Sequence, residues 1–238
     1  MELDLTAASQ AMAARGCSFV SGSAFLAGRL PTECWEHFSR AWEELPADPY
    51  ITDREPYRFR RHARVVFDPN ICTLRILPAA EYMQSAAHNR LFGGVSRQFA
   101  PMQWEKVTRQ FCTALVELGS TRVLRLEKPT LVNIHQVRIL GGAGRTGEPA
   151  PEGSHRDGFA YISVHLVSRD VDHGGVTSAT EDGGNIRATA TLEAPLDAMY
   201  VDDRALLHYT SPIGADSRDA RRDVLLLSNR NEITSPFG

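Results

Sequence analysis

The feature that most constrains the fold is a change of pattern near residue 123. Before it, apolar residues recur at helical spacing, as in Trp35, Phe38 and Trp42, and a second helical pattern runs through residues 102–119. After it, short β-branched runs alternate with turns that contain Gly, Asp or Pro. Many short strands with closely spaced turns are typical of a β-sandwich or barrel rather than of a sheet built from βαβ units.

These patterns predict a single domain over residues 1–238, because no linker or internal repeat divides the chain. About residues 1–120 are expected to be mostly helical and to contain the first strands, with Gly119 capping the last helix. About residues 123–230 are expected to form the β-core. The predicted fold class is therefore mainly β with flanking helices.

Composition and charge argue against several classes of function. The 238 residues include 26 basic and 29 acidic side chains, intermixed for a net charge of −3, with no basic patch for nucleic acid. The four cysteines are scattered without a CxxC pair, and no apolar run approaches the ~20 residues of a membrane helix. The first residues lack the apolar core of an export signal. We expect a cytoplasmic protein that binds neither nucleic acid nor membranes.

A candidate metal site begins at the HxD motif of His155 and Asp157. Residues i and i+2 of a strand point to the same face, so both side chains can approach one ion. His208, in an apolar run after two aspartates, is the candidate third ligand. Two histidines and one carboxylate leave three positions open, as in non-heme Fe(II) oxygenases. The alternative is structural: the HxD pair ends a loop, and His208 is a hydrogen-bonded core histidine.

Beyond His208, Arg221 and Arg222 lead into the run DVLLL. A guanidinium buried there is costly unless it meets an anion, which a dicarboxylate cosubstrate would supply. Because successive residues of a strand alternate between faces, only one of the two arginines can enter the core. The alternative for Arg222 is an ion pair with Asp219 or Asp223 on a solvated edge.

Several stretches resemble a known family. They are PEGSHRDGFAYISVHLVSRDVDHGG, LDAMYVDDRALLHYTSPI, RRDVLLLSN, NIHQVRIL and EYMQSAAHNRLFGGVSRQFAPM. Over roughly residues 50–230 the chain resembles the bacterial 2-oxoglutarate/Fe(II) dioxygenases of the L-isoleucine dioxygenase type. The HRDG and DDRxLLH segments are the most specific parts of this resemblance.

The resemblance implies a double-stranded β-helix core, which is a cupin-like jelly roll. It implies Fe(II) held by His155, Asp157 and His208, with O2 consumed. It implies 2-oxoglutarate held by Arg222 rather than by the preceding arginine. The implied reaction is hydroxylation or sulfoxidation of a free aliphatic L-amino acid or close derivative, with release of succinate and CO2. One departure is Val224, which stands where broader families place the serine of an Arg-x-Ser pair.

Candidate substrate contacts are fewer. In the predicted strand LVNIHQVRIL, Gln136 and Arg138 share one face and His135 lies on the other, so only one set can face a cavity. Arg138 or Arg97 would suit a substrate carboxylate, because an arginine fork matches that group. Tyr161 shares the parity of the HxD pair and would line the same cavity if the strand between them is unbroken.

Two other classes of function could use the same fold and the same candidate residues. A cupin-like metal-dependent isomerase or hydrolase would use the same three ligands without a cosubstrate, which leaves Arg222 without an anion. A non-catalytic small-molecule-binding barrel would keep the fold with a vestigial metal site. The expected partner is a small molecule in each case, and assembly into a homo-oligomer is left open.

Overall fold

The computed structural model describes residues 2–26, 32–52, 54–142 and 144–230. The helices are α1 (Glu2–Arg15), α2 (Gly22–Leu26), α3 (Thr32–Arg40) and α4 (Lys106–Glu117). The strands are β1 (Cys17–Val20), β2 (Arg58–Asp68), β3 (Thr73–Ile76), β4 (Thr130–Gly141), β5 (Tyr161–Asp170), β6 (His173–Gly174), β7 (Val176–Thr180), β8 (Ile186–Thr191), β9 (Ala198–Asp202), β10 (Leu207–Thr210), β11 (Ile213–Gly214) and β12 (Ala220–Arg230). Within these ranges, no helix combines the length and the apolar character needed to cross a membrane.

The strands form two main antiparallel sheets. The larger has seven strands in the order β1-β9-β5-β12-β4-β2-β3, and the smaller has three in the order β10-β7-β8. A short ribbon of β11 and β6 lies beside them. Strands that are distant in sequence are neighbours in the large sheet, as in a jelly roll. The prediction of a jelly-roll core with flanking helices is confirmed.

Side chains alternate across the large sheet and separate two apolar layers. On β4, Ile134 packs in the layer that contains Phe38 of α3 and Phe111 of α4, whose rings stack 4.2 Å apart. Val137 and Ile139 belong to the second layer, which lies between the two sheets. The strand period of two therefore turns one face of β4 toward the helices and the other toward the interior between the sheets.

The first half of the chain contributes β1, β2 and β3 to the large sheet. The sequence predicts strands in this half without placing them. The longest is β2, which pairs with β4 from Arg58 to Phe67. This pairing brings the charged segment RFRRHAR beside the centre of the sheet, and it determines what lines the interior.

The end of α4 differs from the prediction. The helix continues into a π-helical turn at Leu118–Val123 instead of stopping at a glycine cap. Gly119 lies inside that turn, where a Cβ would be 2.6 Å from the hydroxyl of Tyr200. Close packing against Tyr200 explains the glycine, so the predicted C-cap role is wrong.

Candidate active site

A cavity of about 110 Å³ lies between the two sheets. The large sheet supplies most of its wall, and β10 of the small sheet supplies the opposite side. Five of the side chains predicted from the sequence line it. They are Arg97, His155, Asp157, His208 and Arg222.

His155 and His208 face each other in a short antiparallel bridge. The backbone N–H of each residue donates to the carbonyl of the other, at 3.1 and 2.8 Å. Asp157 Oδ1 lies 3.3 Å from His155 Nε2, and Asp157 Oδ2 lies 3.9 Å from His208 Nε2. One ligand atom from each of the three residues lies within 4.8 Å of the others. The predicted set is therefore brought together as a candidate metal site.

The surroundings of the two imidazole rings suit metal ligands. His155 Nδ1 donates to the carbonyl of Gly153 at 2.8 Å, which leaves Nε2 directed at Asp157. His208 Nδ1 lies 3.5 Å from Asp203 Oδ1, and its Nε2 also faces Asp157. Metal-bound histidines commonly donate their second ring N–H to a carbonyl or carboxylate. His155 does so to Gly153, whereas His208 Nδ1 faces Asp203 without forming a hydrogen bond. The donor set fits a divalent ion such as Fe(II).

The electrostatics of the cluster favour a cation. Burial lowers the pKa of His155, but the hydrogen bond and charge of Asp157, with a contribution from Glu152, raise it to about 9. Burial raises the pKa of Asp157, but the hydrogen bond from His155 and the charge of His208 outweigh it and hold the pKa below the ordinary value. A divalent ion can supply the positive charge that these groups otherwise take from protons.

Asp203 holds the HRDG loop, a role that was not predicted from the sequence. Its fully buried carboxylate accepts the backbone N–H groups of Asp157, Gly158 and Phe159 at 2.7–3.0 Å. Gly158 permits this bend because its φ is +84°, in the left-handed region. The same carboxylate faces His208. The sequence signal is an Asp-Asp pair before an apolar run, which does not reveal what the carboxylate contacts.

A second network reaches Asp157 through Gln84. Gln84 Nε2 donates to Asp157 Oδ1 at 2.7 Å, and Gln84 Oε1 accepts from Arg97 and, at 3.1 Å, from Asn89 Nδ2. Arg97, a predicted substrate contact, therefore lines the cavity and also orients Gln84. Gln84 was not predicted from the sequence, because a single glutamine carries no pattern.

Arg222 enters the cavity, whereas Arg221 is 46% exposed. No carboxylate in the described part of the chain pairs with Arg222, and its Nε and one Nη atom are buried without a hydrogen-bond partner. Burial, reinforced by the charge of Arg169, lowers its pKa to about 10. Gly175 makes room for the guanidinium of Arg169, because a Cβ there would lie 2.6 Å from Arg169 Nη1. A buried guanidinium without a carboxylate partner is suited to bind an anionic ligand.

Gln136 and Arg138 lie away from the cavity. They share the face of β4 that carries Ile134, and it is His135 on the opposite face that lines the cavity. Both Nε and Nη2 of Arg138 donate to Asp223 at 2.8 Å. The structure therefore does not bring these two predicted substrate contacts to the site.

Tyr161 also lies away from the cavity. The strand β5 starts only at Tyr161, because the left-handed backbone at Gly158 breaks the continuity from His155 and changes the parity. The Tyr161 hydroxyl accepts a hydrogen bond from Arg204 Nη2 at 3.0 Å, and its ring packs against the helical layer. The condition for Tyr161 to line the cavity, an unbroken strand from the HxD pair, is therefore not met.

Comparison with protein families identifies one match over most of the chain. A family model described as 2OG-Fe dioxygenase matches residues 39–228. A search of curated protein sequences finds no match.

Three solved structures are similar over most of their length. A bsmA homolog from Methylobium petroleophilum PM1 has a TM-score of 0.84 at 27% identity, covering 100% of this chain and 97% of that chain. IDO from Bacillus thuringiensis has a TM-score of 0.77 at 18% identity, covering 96% of each chain. The Fe(II)/α-ketoglutarate-dependent dioxygenase TqaL has a TM-score of 0.72 at 18% identity, covering 96% of this chain and 87% of that chain. The last two similarities show the fold alone.

We predict that Asp203→Asn weakens divalent-metal binding about 10- to 100-fold, because it removes the charge that faces His208 and mismatches the amides of the HRDG loop. Zn(II) titration in competition with a chromophoric chelator measures the affinity. Asp202→Asn is the matched control, since Asp202 pairs with Arg204 outside the cavity. An unchanged Zn(II) affinity in Asp203→Asn would contradict this role.

Proposed function

The chain belongs to the 2OG-Fe dioxygenase family, and we propose that it hydroxylates, or sulfoxidises, a free aliphatic L-amino acid or a close derivative. Membership makes the protein an oxidoreductase and implies Fe(II), 2-oxoglutarate and O2. The observation that carries the proposal is that the three-ligand cluster and the unpaired guanidinium of Arg222 line one cavity. A cosubstrate-free isomerase or hydrolase would give that guanidinium no anion, and a non-catalytic binding barrel would have no use for the three-ligand cluster.

In the proposed site, His155, Asp157 and His208 hold Fe(II), and Arg222 binds the far carboxylate of 2-oxoglutarate. When bound, Fe(II) with 2-oxoglutarate supplies the oxidising chemistry, in which O2 is consumed, the oxo acid becomes succinate and CO2, and one oxygen atom enters the substrate. The chain's own residues position these groups. Asp203 and Gln84 fix the ligands through hydrogen bonds, and the walls of the cavity orient the substrate.

The amino-acid substrate, and with it the L-isoleucine dioxygenase type, is supported by the sequence resemblance and by the lining of the cavity. Apolar side chains occupy the wall between Arg222 and the metal ligands, and they suit an aliphatic or thioether chain. They are Val137, Ile139, Ile162, Val164, Val224 and Leu226.

We extend the proposal to one dioxygenase domain over the whole chain. The family match begins at residue 39, but β1, which precedes it, completes the edge of the large sheet beside β9. The helix α1 in turn contributes Leu5, Ala8 and Met12 to the layer that covers that sheet. The segment before the match is therefore proposed to fold with the rest.

A cytoplasmic location is also part of the proposal. Its support is the state of the four cysteines, which are all free thiols. Burial raises the pKa of the Cys112 thiol to about 12, so this side chain is an unreactive core residue. Free thiols of this kind suit a reducing compartment.

We predict that free L-amino acids with aliphatic or thioether side chains stimulate succinate formation in the presence of Fe(II), 2-oxoglutarate and O2. A panel of the common amino acids, each compared with turnover in its absence, measures the stimulation. No stimulation by any member would contradict the proposed substrate class.

In the same assay, Asp157→Ala and His208→Ala are each expected to abolish turnover, because two protein ligands hold the ion too weakly. His173→Ala is the matched control, since its side chain is 63% exposed and lies outside the cavity. Full activity in either ligand variant would exclude the proposed metal site.

We predict that Arg222→Ala raises the 2-oxoglutarate concentration needed for half-maximal turnover about a hundredfold, because a charge-assisted bidentate pair is lost. Fe(II) affinity should change little. Arg221→Ala is the matched control, since the neighbouring guanidinium is exposed. If both variants keep the wild-type dependence on 2-oxoglutarate, Arg222 is not the anchor.

A further inference from the structure

A second group of buried side chains that carry N–H donors lines the cavity away from Arg222. It consists of Arg58 and Arg60 on β2, Arg97 in the loop before α4, and His135 on β4, and we call it the arginine wall. All four side chains are buried. None of the roles described above explains why three guanidiniums are placed together here.

The ion pairs of the arginine wall do not balance its charge. In the described ranges, the ion pairs of the wall involve a single carboxylate, that of Asp48, which lies 2.8 Å from Arg58 Nε and 3.6 Å from Arg60 Nη1. The hydrogen bond of Arg97 goes to Gln84, which is neutral. Among the described residues, the three guanidiniums therefore have one carboxylate as an ion-pair partner, although they carry three positive charges.

Each member of the wall also carries a free donor. Arg60 Nη2 donates to His135 Nδ1 at 2.7 Å, because a guanidinium cannot accept, and this places the hydrogen of the imidazole on Nε2. The buried donors without a partner in the described structure are Arg58 Nη2, Arg60 Nε, Arg97 Nε and His135 Nε2. Buried donors usually have partners, so an anionic ligand is the natural acceptor.

Two phenylalanine rings hold the guanidiniums of the wall together. The Cζ atom of Arg60 lies 3.9 Å from the ring centre of Phe99, and that of Arg97 lies 5.7 Å from it. Arg97 and Arg58 both lie against Phe92, at 5.1 and 5.8 Å. The wall is therefore one patch with a fixed position.

The wall is separate from the proposed 2-oxoglutarate anchor. Ile139 on β4 pairs with Arg58 on one side and with Arg222 on the other. Two strand spacings, about 10 Å, therefore separate the backbones of these arginines. The wall is also close to the metal cluster, since the side chain of Gln84 bridges Arg97 to Asp157. An anion on the wall would lie beside the reacting centre without displacing the cosubstrate.

The carboxylate of Glu152, which has one oxygen without a partner, lies next to the arginine wall. Glu152 lines the cavity with its side chain 11% exposed, and its Oε2 is buried without a partner. Its Oε1 lies 3.3 Å from His155 Nε2 and 3.5 Å from Asn89 Nδ2. Once Nε2 of His155 binds a metal, it has no hydrogen to donate, so Glu152 loses that partner. Asn89 also donates to Gln84, which accepts from Arg97, so Glu152 and the wall are connected by two amide side chains.

We propose that the arginine wall and Glu152 form a zwitterion-binding subsite, in which the wall binds the α-carboxylate of the substrate and Glu152 binds its α-ammonium. The proposal rests on the proposed function and adds a requirement to it: both ends of the amino acid are free. An amino acid held as a thioester on a carrier lacks the carboxylate, and an N-acylated amino acid lacks the ammonium. Two fixed ends would orient the side chain toward the metal.

The test is equilibrium binding by calorimetry to the Zn(II)- and 2-oxoglutarate-loaded protein, in which no turnover occurs. The probes are the amino acid that best stimulates turnover, its primary amide and its N-acetyl derivative. Wild type should prefer the free amino acid over either derivative by at least about tenfold, because a site built for a charged group is left unpaired by the analogue that lacks it.

Two variants test separately how the protein binds the ammonium and the carboxylate of the amino acid. Glu152→Gln should abolish the preference over the N-acetyl derivative, and Arg60→Met should abolish the preference over the amide. Zn(II) and 2-oxoglutarate affinities should stay at wild-type values in both variants, which also verifies folding. Glu148→Gln and Arg75→Met are the matched controls, since Glu148 pairs with Arg54 outside the cavity and Arg75 is exposed on β3.

Equal binding of the free amino acid and its derivatives, or unchanged preferences in both variants, would overturn the subsite while leaving the proposed dioxygenase intact. Loss of Zn(II) from Glu152→Gln would also overturn it, because Glu152 would then be a metal ligand. Failure of wild type to bind 2-oxoglutarate at all would instead overturn the proposed function and the subsite together.

Discussion

The carboxylate of Asp203 is the interaction on which the site depends most. It follows β9 directly and accepts the backbone N–H groups of residues 157–159, so it fixes the bend of the HRDG loop. The same carboxylate faces His208 at the start of β10. One buried charge thus aligns the two segments that carry the three candidate ligands. The backbone bridge between His155 and His208 also joins these two segments. Three amide donors offset the cost of burying this charge.

The two sheets contribute different groups to the lining of the cavity. The small sheet and the HRDG loop present the candidate metal ligands, whereas the large sheet presents buried basic side chains on β2, β4 and β12. Val137 and Ile139 of β4 form an apolar strip between Arg60 and Arg222. Buried guanidiniums destabilise a fold that has nothing to pair with them, so their placement is better explained by ligands than by stability. The cavity therefore combines two separate positive regions, an apolar strip and a metal cluster.

The sequence predicts the parts of the site that have a pattern. The HxD motif, His208 and Arg222 follow from side-chain parity and from the family resemblance, and the strand register that turns Arg222 inward is as expected.

The break at Gly158 was not predicted, because a single glycine does not show whether its backbone is left-handed. Gln136 and Arg138 were predicted as substrate contacts although they lie on the face of β4 away from the cavity, because buried and solvated polar residues look alike in sequence. Arg58 and Arg60 were missed since a strand rich in basic residues resembles a solvated edge. Asp203 and Gln84 act through contacts distant in sequence, which no local pattern encodes.

The central claim is that the ligand cluster and Arg222 form one Fe(II) and 2-oxoglutarate site. The most direct measurement is the visible absorption spectrum of the protein titrated with Fe(II) and 2-oxoglutarate without O2. A 2-oxo acid bound through its oxo and carboxylate oxygens to Fe(II) gives a weak charge-transfer band. The account predicts this band when both components are present, and its absence when either Fe(II) or 2-oxoglutarate is left out. Tight binding of Fe(II) with no band at saturating 2-oxoglutarate would contradict the account.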